Sequence, residues 1–373
     1  MARSAIAPAE AMPEQPVRAT PLPTPAVLRD EVPVSPLTAQ RIAAQRETIR
    51  EILAGRDDRL LVICGPCSIH DPEAARDYAA RLAALAGEVG DQLYLVMRVY
   101  VEKPRTTVGW KGLLHDPDMD TSGDLAKGLS LSRELMRDIA DMGLPVATEL
   151  LSPAATSYLA DTLAWAAIGA RTTESQTHRE RMSDLALPVG FKNATSGDIQ
   201  PACDAMAAAS APQCYLGQDS AGAPAMIRSM GNPDTHLILR GGTHGPNCGR
   251  EHVADALARL AAAGHTERLI VDCSHANSAK IAARQPAVLA DLVARRCAGE
   301  AGIAGVMLES HLVHGKQSIG GAMTYGQSVT DDCLGFAATA DALREAAAGL
   351  RAQPAGVSSM SSPASASRPR ASS

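Results

Sequence analysis

Chemically active residues stand at or near the ends of eight short apolar runs in this chain. The runs are residues 60–68, 93–100, 144–150, 163–171, 188–193, 236–242, 268–275 and 305–310. The residues near their C-terminal ends are, in the same order, Cys67, Arg98, Glu149, Arg171, Lys192, Arg240, His275 and Glu309. Such a set combines cations, which bind phosphate and carboxylate groups, with thiol, imidazole and carboxylate groups, which bind metal ions. It predicts an anion-binding active site if the fold brings these ends together.

The loop after the second run carries one group of anion-binding residues. Lys103 and Arg105 flank Pro104, which stiffens the backbone, and Thr106 adds a hydroxyl donor. Ammonium, guanidinium and hydroxyl donors held on a stiff loop suit a phosphate group. A basic loop is more often only a solvated surface, but the neighbouring run ends favour a phosphate site here.

A second cationic group follows three other runs. Arg171, Lys192 and Arg240 end the fourth, fifth and sixth runs. Cations at buried strand ends repel one another, and an uncompensated buried charge is strongly destabilising. Structural ion pairs with Glu149 or Glu174 are the alternative to a bound anion. Two separate cationic groups predict two phosphorylated substrates, or one bisphosphate.

Metal-binding residue types end the remaining runs. Cys67, His275 and Glu309 end the first, seventh and eighth runs, and Asp331 follows the last of these. Sulfur, nitrogen and oxygen donors together predict one divalent metal ion, and Mn, Fe, Co and Zn all fit such a set. The pair Cys64 and Cys67 also matches the C-x-x-C pattern of thioredoxin-like redox centres. Such a domain does not need seven more runs with charged ends, so a metal ligand is favoured for Cys67.

The alternation of apolar runs with helical segments predicts an α/β fold, a (β/α)8 TIM barrel. Strands buried on both faces are continuous runs of Val, Ile, Leu and Ala, and barrel active sites lie at the C-terminal strand ends. Residues 38–53 have Ile42, Ile49 and Leu53 at helical spacing, which predicts an N-terminal helical extension ahead of the barrel. Asp, Pro and Glu at 71–73 predict the start of a crossover helix.

The predicted catalytic barrel spans residues 36–350. Residues 1–35 are rich in Pro and Ala without periodicity and are predicted to be mobile, and the low-complexity tail 351–373 is predicted to be disordered. Residues 199–210 predict a helix, and residues 213–230 alternate around a turn, which predicts an inserted β-hairpin. The hairpin is either a regulatory or oligomer element or a neutral insertion.

Composition narrows the classes of protein. The net charge of −6 argues against nucleic-acid binding by bulk electrostatics. Apolar runs fall short of the roughly 20 residues that span a bilayer. The eight cysteines are scattered through a long chain, which indicates reduced thiols rather than a disulfide framework. We therefore predict a cytoplasmic protein that binds neither nucleic acid nor membrane.

Several long motifs resemble those of one enzyme family. They are residues 65–71 (GPCSIHD), 103–112 (KPRTTVGWKG), 169–176 (GARTTESQ), 190–193 (GFKN), 239–242 (LRGG), 272–277 (DCSHAN) and 309–311 (ESH). In this order they resemble the class I, feedback-regulated 3-deoxy-D-arabino-heptulosonate 7-phosphate (DAHP) synthases, over about residues 38–350. The resemblance implies a metal-dependent transferase that condenses phosphoenolpyruvate with D-erythrose 4-phosphate and water. Its products are DAHP and phosphate, in the first step of the shikimate pathway to chorismate and the aromatic amino acids.

The resemblance also implies a role for each matching residue. The implied metal ligands are Cys67, His275, Glu309 and Asp331. The implied phosphoenolpyruvate site consists of Arg98, which meets the carboxylate, and of Glu149, Ala170, Arg171, Lys192 and Arg240. The implied erythrose 4-phosphate site consists of Lys103, Pro104, Arg105 and Thr106. Lys103, at the aldehyde end, is the expected catalytic residue that handles a proton.

The implied regulation is feedback inhibition of a homo-oligomer, a dimer or tetramer, by an aromatic amino acid. The sequence departs from the family pattern at residues 243–248 and at residues 152–156. The second departure falls in the region where relatives bind the effector, together with Arg181, Ala186, Tyr215 and Gly217. These departures leave the identity of the effector open, but not the identity of the reaction. Because Gly217 leaves more room than Ser would, tyrosine or tryptophan is favoured over phenylalanine.

Two other functions compete with this one. The sister reaction uses arabinose 5-phosphate and gives a 3-deoxy-octulosonate 8-phosphate, but the loop at 103–107 resembles that of the four-carbon-sugar enzymes. The other alternative is a catalytically inactive barrel that senses an aromatic amino acid. The complete sets of metal ligands and anion-binding residues argue against that function.

Overall fold

Eight parallel strands close into a barrel in the computed structural model, which describes residues 19–105 and 107–352. The first ten strands are β1 (Leu60–Gly65), β2 (Leu93–Arg98), β3 (Val146–Glu149), β4 (Trp165–Ile168), β5 (Val189–Lys192), β6 (Cys214–Gln218), β7 (Pro224–Arg228), β8 (Thr235–Leu239), β9 (Leu269–Asp272) and β10 (Ile303–His311). All except β6 and β7 form the barrel, and β1 pairs with β10 to close it. Each predicted run overlaps one barrel strand, so the predicted (β/α)8 TIM barrel is confirmed.

Helices precede the barrel and connect most of its strands. They are α1 (Pro25–Glu31), α2 (Pro36–Ala54), α3 (Pro72–Val89), α4 (Leu125–Asp141), α5 (Thr156–Leu159), α6 (Gln176–Met182), α7 (Gln200–Ser210), α8 (Arg250–Ala262), α9 (Gln285–Cys297) and α10 (Phe336–Arg351). The predicted start of α3 holds, because the Asp71 carboxylate accepts hydrogen bonds from the amides of Glu73 and Ala74. Among the described residues, the helices are all too short or too polar to cross a membrane. The remainder of the predicted C-terminal tail, 353–373, lies outside the described residues.

Helix α2 closes the end of the barrel opposite the charged residues. Side chains alternate along each strand, so Leu61 and Ile63 of β1 belong to an inner apolar cluster. Ile49 and Ile52 of α2 join the same cluster. Arg46 of α2 donates a hydrogen bond of 2.8 Å to the carbonyl of Leu163, just before β4. The predicted helical extension is therefore part of the barrel core.

The segment ahead of α2 differs from its prediction as a mobile stretch covering residues 1–35. It contains helix α1, whose Leu28 is only 1% exposed. The buried guanidinium of Arg133 donates a hydrogen bond of 2.8 Å to the carbonyl of Val32. A helix of seven residues is only marginally stable in isolation, so these tertiary contacts stabilise it. So short a helix also shows little hydrophobic periodicity, which is why the sequence did not predict it. Residues 1–18 lie outside the described residues.

The inserted hairpin is present between α7 and β8. Strands β6 and β7 pair antiparallel, with Tyr215 opposite Ile227. The Asp219 side chain accepts hydrogen bonds of 2.9 Å from the amides of Ala221 and Ala223, which fixes the turn. The prediction of a hairpin near 213–230 is confirmed.

The connection from β10 to α10 folds back over the barrel. It contains β11 (Val313–Lys316), β12 (Gln327–Ser328) and β13 (Leu334–Gly335). Strand β13 pairs with the end of β10, with Leu334 opposite Ser310. This return brings Asp331 to the C-terminal ends of the barrel strands, which we call the mouth.

Candidate active site

The mouth encloses a cavity of about 310 Å³, which we call the substrate cavity. The predicted site residues that line it are Arg98, Lys103, Pro104, Arg105, Glu149, Ala170, Arg171, Lys192, Arg240, His275, Glu309 and Asp331. Cys67 is buried in contact with Lys103 and Asp331. Thr106 lies outside the described residues, so its position stays a prediction. The fold thus gathers at one mouth residues that are far apart in the chain.

Three metal-binding side chains converge in this cavity. One ligand atom each from Cys67, Glu309 and Asp331 lies within 4.8 Å of the other two. His275 Nε2 is 3.9 Å from Glu309 Oε1, so the imidazole borders the same group. Gln285 fixes Glu309, because its amide group bonds both the backbone N–H and the backbone carbonyl of that residue. These sulfur, nitrogen and oxygen donors suit a divalent transition metal ion.

The ammonium group of Lys103 shows that this donor set attracts a cation. Lys103 Nζ is 2.7 Å from Cys67 Sγ and 3.0 Å from Asp331 Oδ2. Burial lowers the pKa of Lys103, but Cys67, Glu309 and Asp331 outweigh burial and raise it. Burial likewise opposes ionisation of Asp331, yet Lys103 holds the pKa of that carboxyl below its ordinary range. The donor set therefore fits a bound metal cation.

The two cysteines of the C-x-x-C pattern lie in different surroundings. Cys64 Sγ is 3.1 Å from the hydroxyl of Tyr78 in the apolar layer outside the barrel, whereas Cys67 faces Lys103. Both are free thiols. Burial raises the pKa of Cys64 and of Cys67 to about 11. A redox-active cysteine needs a lowered pKa, so this environment argues against a redox pair of Cys64 and Cys67.

Asp272, at the end of β9, is a site residue that the sequence analysis missed. Its fully buried Oδ2 lies 2.8 Å from His275 Nδ1 and 3.7 Å from Lys192 Nζ. Burial opposes its ionisation, but His275, Lys192 and Arg98 hold the pKa of Asp272 well below its ordinary range. The carboxylate contacts the Nδ1 side of His275 and leaves Nε2 for a metal ion. An acidic residue ending an apolar strand three positions before a metal-binding His was the available signal.

The backbone at His275 is also unusual. Its φ of 53° lies in the left-handed region, which costs energy for a residue with a side chain. Ala279 and Lys280 also have φ values of 53° and 59°. Residue types alone do not predict such conformations, so the sequence could indicate His275 as a candidate ligand but not its backbone geometry.

Lys192 and Glu149 form a buried ion pair beside the metal-binding group. Lys192 is 3% exposed, and its Nζ is 3.5 Å from Glu149 Oε2. Burial alone would raise the pKa of Glu149, but Lys192 and Lys103 lower it. The structural ion pair that competed with anion binding is therefore present for Lys192.

Arg171 and Arg240 differ from Lys192. Both line the substrate cavity, and neither has a carboxylate within 4.0 Å in the part of the chain that the structure describes. The backbone at Arg240 is held in place by Asn193, whose Oδ1 accepts a hydrogen bond of 2.8 Å from the Arg240 N–H. Two guanidinium groups without carboxylate partners leave the cavity with cationic groups for an anionic ligand.

Arg98 is fully buried but retains an unused donor. Its guanidinium lies over the ring of Tyr100 at 3.9 Å, and its Nη2 donates a hydrogen bond of 3.1 Å to Glu309 Oε1. Among the described residues Arg98 Nη1 finds no hydrogen-bond partner. Buried donors rarely stay unpaired, so this group is suited to a ligand carboxylate. Tyr100, which supports the guanidinium, was not predicted.

The loop after β2 is braced from within. Arg105 Nε donates a hydrogen bond of 2.7 Å to the carbonyl of Trp110, and Trp110 Nε1 donates one of 2.7 Å to the carbonyl of Asp116. The backbone N–H of Lys103 donates to the carbonyl of Lys111 at 2.8 Å. The two loop cations are therefore held on an ordered support.

A second cavity, of about 340 Å³, lies between the hairpin and helices α5 and α6. It is lined by Pro153, Ala154, Ser157, Thr177, Arg181, Tyr215, Leu216, Gly217, Gln218 and Pro224. Arg181 pairs with Asp184 and donates a hydrogen bond of 3.0 Å to Ser157 Oγ, and the Tyr215 hydroxyl donates one of 2.8 Å to Asp184. Of the residues expected around an effector, Ser152, Ala155, Thr156 and Ala186 do not line this cavity.

Comparisons with known proteins agree with this geometry. Residues 34–344 match the model of the DAHP synthetase I family. The chain is 52% identical over 325 residues to the Tyr-sensitive phospho-2-dehydro-3-deoxyheptonate aldolase of Escherichia coli (strain K12), covering 86% of this chain and 91% of that protein. It is 50% identical over 331 residues to the Phe-sensitive aldolase of the same strain, covering 88% and 94%.

A solved structure is also similar over nearly the whole length. The phospho-2-dehydro-3-deoxyheptonate aldolase from Francisella tularensis SCHU S4 superposes with a TM-score of 0.89 at 43% identity, covering 91% of this chain and 100% of that one. Fold, site geometry and sequence therefore agree, and the chain belongs to the DAHP synthetase I family.

Proposed function

We propose that this protein condenses phosphoenolpyruvate with D-erythrose 4-phosphate and water, giving DAHP and phosphate in the cytoplasm. The observation that carries the proposal is the single mouth in which two cationic groups flank a metal-binding donor set. Two phosphorylated substrates need two such groups, and a carbonyl reaction between them needs an electrophilic catalyst. Family membership supports the same conclusion.

Each substrate has a set of residues suited to its charge. Phosphoenolpyruvate would bind to Arg98, Ala170, Arg171, Lys192 and Arg240, beside Glu149. Arg98 Nη1, the buried donor without a partner, would meet the carboxylate. Erythrose 4-phosphate would bind to Lys103, Pro104, Arg105 and Thr106. The braced loop lets these donors meet the phosphate at a small entropic cost.

The reaction joins C3 of phosphoenolpyruvate to the aldehyde carbon. Cys67, His275, Glu309 and Asp331 would hold a divalent metal ion, which would supply Lewis-acid activation of the aldehyde oxygen. Water adds at C2, and phosphate leaves by cleavage of the C2–O bond. Arg171, Lys192 and Arg240 offset the charge that develops on the departing phosphate. Lys103, within hydrogen-bond distance of Cys67 and Asp331, would donate or hold the proton at the new hydroxyl.

The donor set admits Mn, Fe, Co or Zn as the metal. One thiol, one imidazole and two carboxylates include both soft and hard donors, so the set alone does not select one ion. Metal analysis of the protein purified without chelator, followed by add-back of each ion to stripped enzyme, identifies the ion that supports turnover.

An aromatic amino acid is the proposed effector, and the second cavity is its proposed site. Apolar Pro153 and Leu216 would pack against the ring, and Arg181 would pair with the carboxylate. Tyrosine or tryptophan is the proposed inhibitor. Inhibition by phenylalanine alone would contradict that choice.

A dimer or tetramer is the proposed assembly. On the hairpin, Leu216 is 84% exposed and Met226, opposite it on the other strand, is 65% exposed. Large exposed apolar side chains close together are typical of contact surfaces. Light scattering coupled to size-exclusion chromatography measures the mass.

The decisive test is phosphate release from metal-loaded protein with phosphoenolpyruvate and either of two aldoses. Turnover with erythrose 4-phosphate and little with arabinose 5-phosphate is expected. The opposite preference would assign the sister reaction. Effector binding without any turnover would assign an inactive sensor.

A further inference from the structure

Glu102 is a buried carboxylate that the proposed reaction does not use. It directly precedes Lys103 and is 2% exposed. Its Oε1 is 3.0 Å from His115 Nε2. Its Oε2 accepts hydrogen bonds of 3.2 Å from the backbone N–H groups of Leu151 and Ser152. Both oxygens are therefore engaged, and their partners lie in two separate parts of the chain.

One part is the segment 151–154, which borders both cavities. Leu151 lines the substrate cavity, whereas Pro153 and Ala154 line the second cavity. His178 Nε2 is 2.8 Å from the carbonyl of Leu151. His178 belongs to α6, as does Thr177, which lines the second cavity. A displacement of this segment would therefore change the shape of both cavities.

The other part is the loop that carries Lys103 and Arg105. Leu114 donates a backbone hydrogen bond of 3.0 Å to the carbonyl of Val101. Gly112 packs so tightly that a Cβ there would collide with the Val101 carbonyl and with Glu102 Cα. Residues 101–105 and 111–115 therefore form one packed unit, which Glu102 attaches to the segment 151–154.

We propose that Glu102 is a positioning residue that holds the aldose-phosphate loop against residues 151–154. Through this attachment, occupancy of the second cavity changes the affinity of the loop for the aldose phosphate. The inference rests on the proposed function only for the identity of that substrate. Because coupling between two binding sites is reciprocal, saturating aldose phosphate weakens effector binding by the same factor.

The test compares Glu102→Ala, Glu102→Gln and Glu300→Ala in the full-length, metal-loaded protein. Glu300 pairs with Arg295 and Arg250 and lines neither cavity, so its substitution controls for loss of a carboxylate. In Glu102→Ala we expect KM for erythrose 4-phosphate to rise about 10-fold, because the backbone N–H groups of Leu151 and Ser152 lose their acceptor. KM for phosphoenolpyruvate should stay within about 2-fold of wild type.

Glu102→Ala should also weaken inhibition. Tyrosine, tryptophan and phenylalanine are each tested as inhibitors. For the one that inhibits, the ratio of the rate without effector to the rate with effector should fall at least about 3-fold. Its dissociation constant measured by calorimetry should stay within about 2-fold of wild type. Glu102→Gln keeps one acceptor oxygen and should restore most of both properties. Parallel rises in both KM values with a lowered melting temperature, as a purely structural role predicts, would overturn the proposal. So would wild-type kinetics and inhibition.

Two further measurements keep the outcome decisive. If Glu102→Ala does not fold, His115→Ala replaces it, because it removes the contact of 3.0 Å with Glu102, and an unchanged KM for erythrose 4-phosphate in that variant overturns the proposal. If wild-type protein turns over neither aldose, the proposed function fails on its own. Amide hydrogen exchange at Leu151 and Ser152 then tests the attachment. Faster exchange in Glu102→Ala than in Glu300→Ala supports it, and equal exchange overturns it.

Discussion

The substrate cavity and the second cavity are similar in volume and opposite in construction. The first is built from the ends of barrel strands, and Arg98 and Lys192 pair with Glu309 and Glu149 in a buried network. The second is built from short helices and an inserted hairpin, and most of its lining is apolar or small. A charge network at strand ends tolerates little change, because each removed partner leaves a buried charge uncompensated. An apolar pocket on connecting elements can vary while the barrel is preserved.

Substitution of Cys67, the thiol of the proposed metal site, should have the largest effect. Cys67→Ser replaces a thiolate by a hydroxyl that ionises far less readily, so metal affinity and turnover should both fall. We expect kcat to drop about 1000-fold, which corresponds to about 4 kcal/mol of lost transition-state stabilisation. Metal content per chain and initial rate are measured on the same preparation.

Cys248→Ser is the matched control, because Cys248 is partly exposed and does not line the substrate cavity. It should keep wild-type metal content and rate. Full metal occupancy in Cys67→Ser would remove Cys67 from the ligand set. The charged groups at the mouth would then depend on one another less than the contrast between the two cavities implies.

Removal of an unpaired cation should have the next largest effect. Arg171→Ala deletes a guanidinium that has no carboxylate within 4.0 Å among the described residues, so the fold loses no ion pair. We expect kcat/KM for phosphoenolpyruvate to fall about 100-fold, since charged hydrogen bonds contribute about 1.5–3 kcal/mol each. The melting temperature should stay at the wild-type value.

Arg250→Ala serves as the control, because Arg250 pairs with Glu300 at the surface and lines neither cavity. A fall in melting temperature for Arg171→Ala without a change in kcat/KM would mean that the guanidinium is structural. The cationic group would then be reduced to Lys192 and Arg240.

The sequence could predict the barrel and the location of its site, because both depend on local patterns. A strand buried on both faces is an apolar run, and parallel barrel strands bring their C-terminal ends together whatever the loops do. Asp331 does not end a run and joined the predicted metal-binding set only as a carboxylate that follows the last run. Its position depends on the return of the chain through β13.

Contacts that depend on loop conformation could not be predicted. The roles of Asp272, Tyr100 and Glu102 come from side-chain directions that residue types do not specify. Helix α1 was missed for a related reason, since a short Pro-initiated segment is stabilised by burial of Leu28 and by Arg133 from a distant helix. Tertiary contacts, not propensity, decide such elements.

Weakening the second cavity should leave catalysis intact. Arg181→Ala removes the cation of that cavity, so we expect the inhibition constant of the aromatic amino acid to rise about 10-fold with kcat unchanged. Burial raises the pKa of Tyr215 to about 12, so its hydroxyl stays a donor at physiological pH and cannot replace the lost cation. Arg137→Ala, on α4 and outside both cavities, is the control. A fall in kcat for Arg181→Ala would show that the two cavities are not separable.

Gly217→Ala should have the smallest effect and sharpens the choice of effector. On sequence alone, Gly217 favoured tyrosine or tryptophan by leaving room in the pocket. In the hairpin, however, a Cβ at Gly217 would lie 2.6 Å from Ile227 Cγ1, so an added methyl presses on the opposite strand. Ile227 is β-branched, so its side chain has few rotamers with which to move away. Overpacking of this kind lowers the free energy of unfolding by about 1–3 kcal/mol. We therefore expect a melting temperature lowered by a few degrees.

The ratio of tyrosine to phenylalanine inhibition constants in Gly217→Ala should change by less than about 3-fold, since the methyl group presses mainly on Ile227, which does not line the second cavity. A shift of 10-fold or more towards phenylalanine at unchanged stability would mean that the space left by Gly217 favours tyrosine or tryptophan, as the sequence suggested. In that case Gly217 selects the effector directly. With the smaller change, glycine is required by the pairing of β6 with β7, and selection rests with side chains such as Arg181 and Tyr215 that reach into the cavity.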